Sequence, residues 1–307
     1  MNPATSSEGR SPELQALEAA VSRAIAPAPD APGRARAAVD AVERGEPLDK
    51  AFADVKAPVG MAKAVAASGA THPALAVDAL TAALAKRRSR LLQLRSAGLY
   101  PALVSLSTLV VGWLISVDVV PQLDGVRAVV RGVDEVTSTA GATLPSVVVS
   151  SVLLCLLALG LAFDVPVLGF RDARRARETA LFFAAVEGLL RAGAGLVGAV
   201  RAASGLVGDP IVSTNGERWA AALERGEPNP TGLLNGLPGA LVSESIRSGT
   251  VAAALVPIVA LAEREASREA SSALQRVQFA TLLLAGLGLL LTAVSFVRAY
   301  AGAVGSG

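Results

Sequence analysis

Cysteine occurs once in 307 residues, at Cys155, and histidine once, at His72. One cysteine excludes any disulfide within the chain, and a lone histidine, read as a loop residue, excludes the clustered His/Cys sets of structural zinc sites. Because Cys155 lies inside an apolar run, it says nothing about compartment. Charge of one sign is also scarce: the formal net charge is +2, too small to argue for nucleic acid. No Walker lysine motif is present, so any ATP chemistry has to come from a partner. No H-E-x-x-H, G-x-S-x-G or facing aspartate pair supports an intramembrane protease. No segment sustains the alternation expected of half-buried strands, and helical periodicity dominates, so the expected fold class is all-α.

Aromatic residues supply only 4% of the chain, yet hydrophobic residues reach 52%, carried by alanine, leucine and valine. The mean hydropathy, +0.51, is high for a soluble domain and points to a membrane protein. Three runs are long enough to cross a hydrocarbon core of roughly 30 Å, which needs about 20 apolar residues. They fall at 99–120, 144–165 and 277–297. Leu181 to Ser204 is apolar on average, but Glu187, Arg191 and Arg201 interrupt it at helical spacing, the mark of an amphipathic helix outside the bilayer. Asp118 and Asp164 sit at span ends, where a carboxylate reaches the interface.

Orientation follows from basic residues beside the spans. Lys86, Arg87, Arg88, Arg90 and Arg95 precede the first, and Arg171, Arg174, Arg175 and Arg177 follow the second. The intervening loop offers Arg127 and Arg131 against Asp124, Asp134 and Glu135. The polar amino-terminal segment lacks the layout of a signal peptide. The expected organisation is a disordered or degenerate segment 1–33, a first cytoplasmic helical module 34–98, span 99–120, external loop 121–143, span 144–165, a second cytoplasmic module 171–276, span 277–297 and an external tail 298–307.

The two modules share their punctuation. Glu43-Arg44-Gly45-Glu46-Pro47 recurs about 180 residues later as Glu224-Arg225-Gly226-Glu227-Pro228. Pro58 opens a segment that runs to Ser68-Gly69, and Pro238 opens one that runs to Ser248-Gly249; Leu75 and Leu255 follow in step. Each copy then continues through a charged helical stretch into an apolar span, which reads as a duplicated helical module. Proline suits the first helical turn and glycine the left-handed cap. In the second copy the pattern predicts a helix over Arg171 to Arg191 with a Phe182, Phe183, Val186, Leu189, Leu190 face, a turn at Gly193 to Gly195, a helix from Leu196 to Ser204, and another capped by Asp209 with Pro210 at its first position. The glycine-rich Gly193 to Gly198 matches a dinucleotide-binding pattern, but a helix-forming run precedes it where that motif needs a strand, so the reading is an interhelical turn.

This pattern resembles the inner-membrane platform protein family of type II secretion and type IV pilus systems. The resemblance rests on Arg177, Leu181-Phe182-Phe183, Leu189 to Gly193, Leu223 to Gly226, Leu237-Pro238 and Ser248-Gly249 with Leu255. In the first copy it rests on Gly45, Gly69, Leu75 and Leu99-Tyr100-Pro101. The chain departs from the family at Ala70 and Thr250, which stand where an acidic residue is usual, and at Pro73 and Ala253, which replace a glycine. Any metal contact resting on those carboxylates is therefore in question. The resemblance implies a non-enzymatic multi-pass protein of the inner membrane, amino terminus cytoplasmic and carboxyl terminus external. It implies no cofactor, and a role coupling a cytoplasmic secretion or pilus-assembly ATPase to pilin or pseudopilin subunits. Other inner-membrane assembly components, the lipid bilayer and further copies of the chain complete the implied partners. The alternative is a small helical transporter or channel, which would need polar residues at mid-span.

Candidate partner contacts are Arg218, Glu224, Arg225 and Glu227 on the second module. Glu46 and Glu227, each before proline, read as solvated carboxylates at glycine-closed helix ends. Stripes of small residues mark one face of the first span (Ser105, Thr108, Gly112, Ser116) and of the third (Ala285, Gly288, Thr292, Ser295), where helices can approach closely. The topology is open to a direct check. A reporter active only outside the cytoplasm is expected to be active when fused after Arg131 and silent after Asp54 or Arg225; activity after Arg225 would overturn the three-span arrangement.

Overall fold

A computed structural model describes residues 11–26, 30–54, 60–114, 122, 170–230, 232–234 and 237–304. Among these the regular structure is helical and no strand occurs, so the chain is all-α as expected. The chain divides into two compact units. The first comprises residues 1–90 with 172–269, and the second 91–171 with 270–307. The two repeat-bearing segments thus lie in one unit.

The first copy supplies α1 (Pro12–Ala24), α2 (Ala31–Glu43), α3 (Leu48–Asp54), α4 (Met61–Ser68) and α5 (Pro73–Leu114). The second supplies α6 (Phe170–Arg191), α7 (Leu196–Leu206), α8 (Pro210–Glu224), α9 (Leu237–Ser248) and α10 (Val251–Val304). The start of α1 differs from the expectation of a disordered or degenerate segment 1–33. Ser11 accepts a hydrogen bond from the Leu14 N–H, Pro12 occupies the first turn, and Leu17, Ala20 and Val21 are buried. This is N-cap chemistry followed by an apolar stripe at helical spacing. The proline- and alanine-rich stretch after it ends α1 but does not prevent α2, which begins at Ala31.

One core is built from both copies. Leu17, Val21 and Val39 of α1 and α2, Phe52 of α3, Met61 and Val65 of α4, and Val77 and Leu80 of α5 share a buried cluster with Phe182, Phe183, Val186 and Leu189 of α6 and Trp219 of α8. The aromatic centre is edge-to-face, with Phe182 and Phe183 at 5.2 Å and 87°, and Trp219 lies 6.2 Å from Phe182 and 6.3 Å from Phe183. Such pairs add about 0.5–1.5 kcal/mol each beyond area burial. The Trp219 indole N–H donates to the Pro228 carbonyl at 3.4 Å, which ties the loop after α8 to the core.

The copies meet where α4 lies on α7. A Cβ on Gly198 would stand 2.7 Å from the Ser68 carbonyl oxygen, so only glycine permits this approach. A second link lies beside it, where the His72 N–H donates to the Ala192 carbonyl at 3.0 Å. The Thr71 hydroxyl donates to the same oxygen at 3.3 Å. His72 is exposed at the head of α5. As expected from sequence, Asp209 caps α8 by accepting from the N–H groups of Ile211 and Val212, with Pro210 in the first turn.

In the second unit the described residues belong chiefly to α5 and α10. Among the described residues no helix is long and apolar enough to cross a membrane. Residues 144–165 and the end of the first expected span, from 115, lie outside the described residues. So do Pro58, Ser116 and the side chains of Ser105, Thr108, Gly112, Ala285, Gly288, Thr292 and Ser295, leaving the two small-residue stripes without structural description. Ala273 and Val277 are buried there, while many of the larger apolar side chains that are described are exposed, with Leu103 at 65%, Phe279 at 69% and Leu290 at 60%.

The α4–α7 contact predicts opposite outcomes for two glycines of one helix. Gly198→Ala drives a methyl group into the Ser68 backbone and is expected to lower unfolding stability by about 1–3 kcal/mol. Gly205→Ala meets open space and is expected to raise it by about 0.5–1 kcal/mol through helix propensity, both read by chemical unfolding of the detergent-solubilised chain.

Candidate functional site

The end of α8 and the turn after it place three of the four candidate contacts together. Gly226 has a φ of +81° and closes the helix: its N–H donates to the Leu223 carbonyl at 3.0 Å and the Glu227 N–H to the Ala222 carbonyl at 2.9 Å. The first copy repeats this geometry. Gly45 has a φ of +86°, its N–H donates to Val42 at 2.9 Å, and the Glu46 N–H donates to Ala41 at 3.0 Å. A left-handed residue here turns the chain while satisfying carbonyls that the helix end leaves over.

The side chains repeat as well. Arg225 pairs with Glu227 at 3.4 Å, and Arg44 pairs with Glu46 at 3.2 Å. The carboxylate before each proline is thus solvated and paired two residues back. Glu224 receives a 2.7 Å bond from Arg201 of α7. Arg218 is exposed one turn and a half earlier on α8. These are accessible pairs of both signs, each contributing little to stability. Among the described residues no group of three or more His, Cys, Asp or Glu side chains is placed to hold a metal ion.

The other repeated positions agree in backbone and part in burial. Gly69 and Gly249 are both left-handed, with φ of +61° and +72°. Ser68 donates to the Val65 carbonyl at 2.8 Å, and Ser248 to the Ser245 carbonyl at 3.2 Å. Thr250 exchanges a hydrogen bond with Ser248 at 2.8 Å. Pro238 lies in the first turn of α9. Leu255 is completely buried, however, whereas Leu75 is 54% exposed. Leu75 instead walls an open groove of about 490 Å³ whose floor includes Ala79 and Gly188. There α5 and α6 nearly touch: a Cβ on Gly188 would stand 2.5 Å from that of Ala79.

A charged centre that the sequence reading did not single out lies inside the same unit. Glu178 of α6 is fully buried. Its Oε2 accepts the Gly208 N–H at 2.8 Å, from the turn between α7 and α8. Its Oε1 lies 2.7 Å from Arg87 Nη2 of α5, an ion pair without hydrogen-bond alignment. Arg177 Nε stands 3.9 Å from the same oxygen, and Arg174 donates to the Gly208 carbonyl at 3.1 Å. Helical spacing held the signal, because Glu178 falls four residues before Phe182 on the buried stripe. At the opposite end of the first copy Arg23 grips Asp78, Nε to Oδ1 at 3.1 Å. That hydrogen bond, and then the carboxylate's charge, hold the Arg23 guanidinium above its ordinary pKa.

If the two left-handed turns are equivalent, their alanine variants have equal consequences. A Cβ at Gly45 or Gly226 meets nothing within 4 Å, so only backbone strain acts. Gly45→Ala and Gly226→Ala are each expected to cost about 1–2 kcal/mol in chemical unfolding. Unequal costs would show that the repeated turns carry different loads.

No family model, curated protein or solved structure matches this chain.

Proposed function

We propose that this chain is a platform protein of a type II secretion or type IV pilus-like assembly machine in the inner membrane, where it couples a cytoplasmic secretion ATPase to pilin or pseudopilin assembly. One observation carries this reading: two copies of a helical module join in a single unit, and the last helix of each copy continues into a stretch of exposed leucine-rich surface. Within the first unit Val77, Leu80, Leu255 and Ile258 of these helices are buried, while Leu75, Val256 and Leu261 are exposed. Farther along, Leu103, Leu106, Phe279, Leu283 and Val297 are exposed. Exposed apolar surface of that extent marks a membrane or protein contact.

In this reading the apolar stretches 99–120, 144–165 and 277–297 are spans, the first unit is cytoplasmic, and the chain ends outside. The protein contributes contacts and no turnover. Paired charges on an exposed helix end, as at Glu224, Arg225 and Glu227 with Arg218 nearby, suit a reversible polar contact with the ATPase, since rim charges tune recognition more than stability.

Two measurements test the proposal. The chain is expected to stay with membranes through alkaline carbonate washing; release with peripheral proteins would sink the membrane assignment. Reversing Arg218, Glu224, Arg225 and Glu227 together is expected to weaken copurification with the cognate ATPase about tenfold or more. Helix content should be unchanged and stability should shift by less than about 1 kcal/mol, because the pairs are solvated. Undiminished binding removes this patch from the interface, and ATP hydrolysis by the purified chain alone overturns the platform reading.

A further inference from the structure

We propose that Arg87 and Glu178 form an electrostatic latch that decides whether α5 stays seated on α6. The proposal stands on the geometry of the first unit and is independent of the membrane reading. Two consecutive residues of α5 reach two different helices: Lys86 pairs with Glu263 of α10, and Arg87 pairs with Glu178 of α6 at 2.7 Å. Glu178 is in turn fixed to the α7–α8 turn by the Gly208 N–H, and Arg174 closes the loop from the other side of that residue. Two helices, α5 and α6, and the α7–α8 turn therefore converge on a single buried carboxylate.

The surroundings make the charges decisive. The small cavity beside the pair is bounded by Ala83, Ala180, Leu181 and Ala184, and a few turns away the same two helices touch through Ala79 and Gly188. Apart from Leu181 these side chains bury little apolar area, and hydrophobic attraction scales with area. In the rest of the core, Phe182, Phe183, Leu189 and Trp219 supply that area. Val77, Leu80 and Leu84 of α5 also join that core, and the ionic pair acts at the end of the α5–α6 contact, beside Ala83, where bulk is least. A desolvated pair is two-state by nature: seated, each charge compensates the other, and separated, each must be hydrated, with no favourable position between. Arg87 is 29% exposed, so water has a route to the pair and opening needs no unfolding. Gly208 is part of the device, since a Cβ there would stand 3.1 Å from Arg87 Nη2.

Amide hydrogen exchange of the full chain in detergent distinguishes a latch from an ordinary core contact. Glu178→Gln keeps the shape and an acceptor for Gly208, and Arg87→Gln removes the other charge. Each is expected to accelerate exchange of residues 80–90 and 172–180 by about 100-fold or more, while α2 and α8 change by less than about threefold. Arg87→Lys is expected to recover part of the protection. Lys86→Gln, which breaks only the more exposed pair, is expected to have a small effect. Should Glu178→Gln lose its helix content, Arg87→Gln and the native chain in rising salt give the same reading. Unchanged exchange in residues 80–90 and 172–180 overturns the proposal, and so does an increase spread evenly over the first unit.

Discussion

The close approach of α4 and α7 is the constraint from which the first unit follows. The two copies of the repeat share one buried core. α3 and α4 have 7 and 8 residues, too short to persist as isolated helices. They become stable by laying Phe52, Met61 and Val65 against residues of the second copy, and Gly198 permits that contact by bringing one backbone to the other. The Ala192 carbonyl then receives both Thr71 and His72, so a helix end in one copy is satisfied by the chain of the other. Duplication in sequence has become interdependence in structure.

Interdependence also explains where the copies stop being alike. Their turns are set by local chemistry, and these remain nearly superimposable in conformation: Gly45 with Gly226, Gly69 with Gly249, and the Arg44–Glu46 pair with Arg225–Glu227. Burial is set by neighbours, and two copies packed together have different neighbours. Hence Leu255 vanishes into the core while Leu75 stands at the wall of a groove. The buried Glu178 belongs to the same logic. It is a residue of the second copy held by Arg87 from the first.

What was legible in the sequence was whatever depends on a few adjacent residues. Asp209-Pro210 specified a helix start, Gly226 and Gly249 specified helix ends, and the Phe182 to Leu189 spacing specified a buried face. The glycine-rich stretch at Gly193 was a turn because a helix precedes it, and the structure has α6 there. α1 was legible too, from Ser11-Pro12-Glu13 and the Leu17, Ala20, Val21 stripe, but alanine and proline beyond it suggested degeneration. The reading of short-range signals was overruled there by composition. The union of both copies in one core and the Arg87–Glu178 pair were not legible, because each depends on which distant helices meet. The candidate contacts Glu224, Arg225 and Glu227 were found through the repeat, whereas their pairing with Arg201 and with each other is a tertiary result.

The distribution of leucine carries the last step. In α5 and α10 the same kind of side chain is treated in two ways along one helix. Leu80 and Leu255 are hidden, while Leu106 and Leu287 face outward. Apolar surface left exposed to water is unfavourable by about 25 cal/mol for each Å². The outward leucines therefore suit the apolar contact that the proposed function gives these stretches. Basic residues in the sequence before the first apolar run and after the second also bind the first unit together: Lys86 pairs with Glu263, Arg87 with Glu178, and Arg174 donates to the Gly208 carbonyl. Charges that the sequence reading assigned to topology therefore have a second, structural use that does not depend on that assignment.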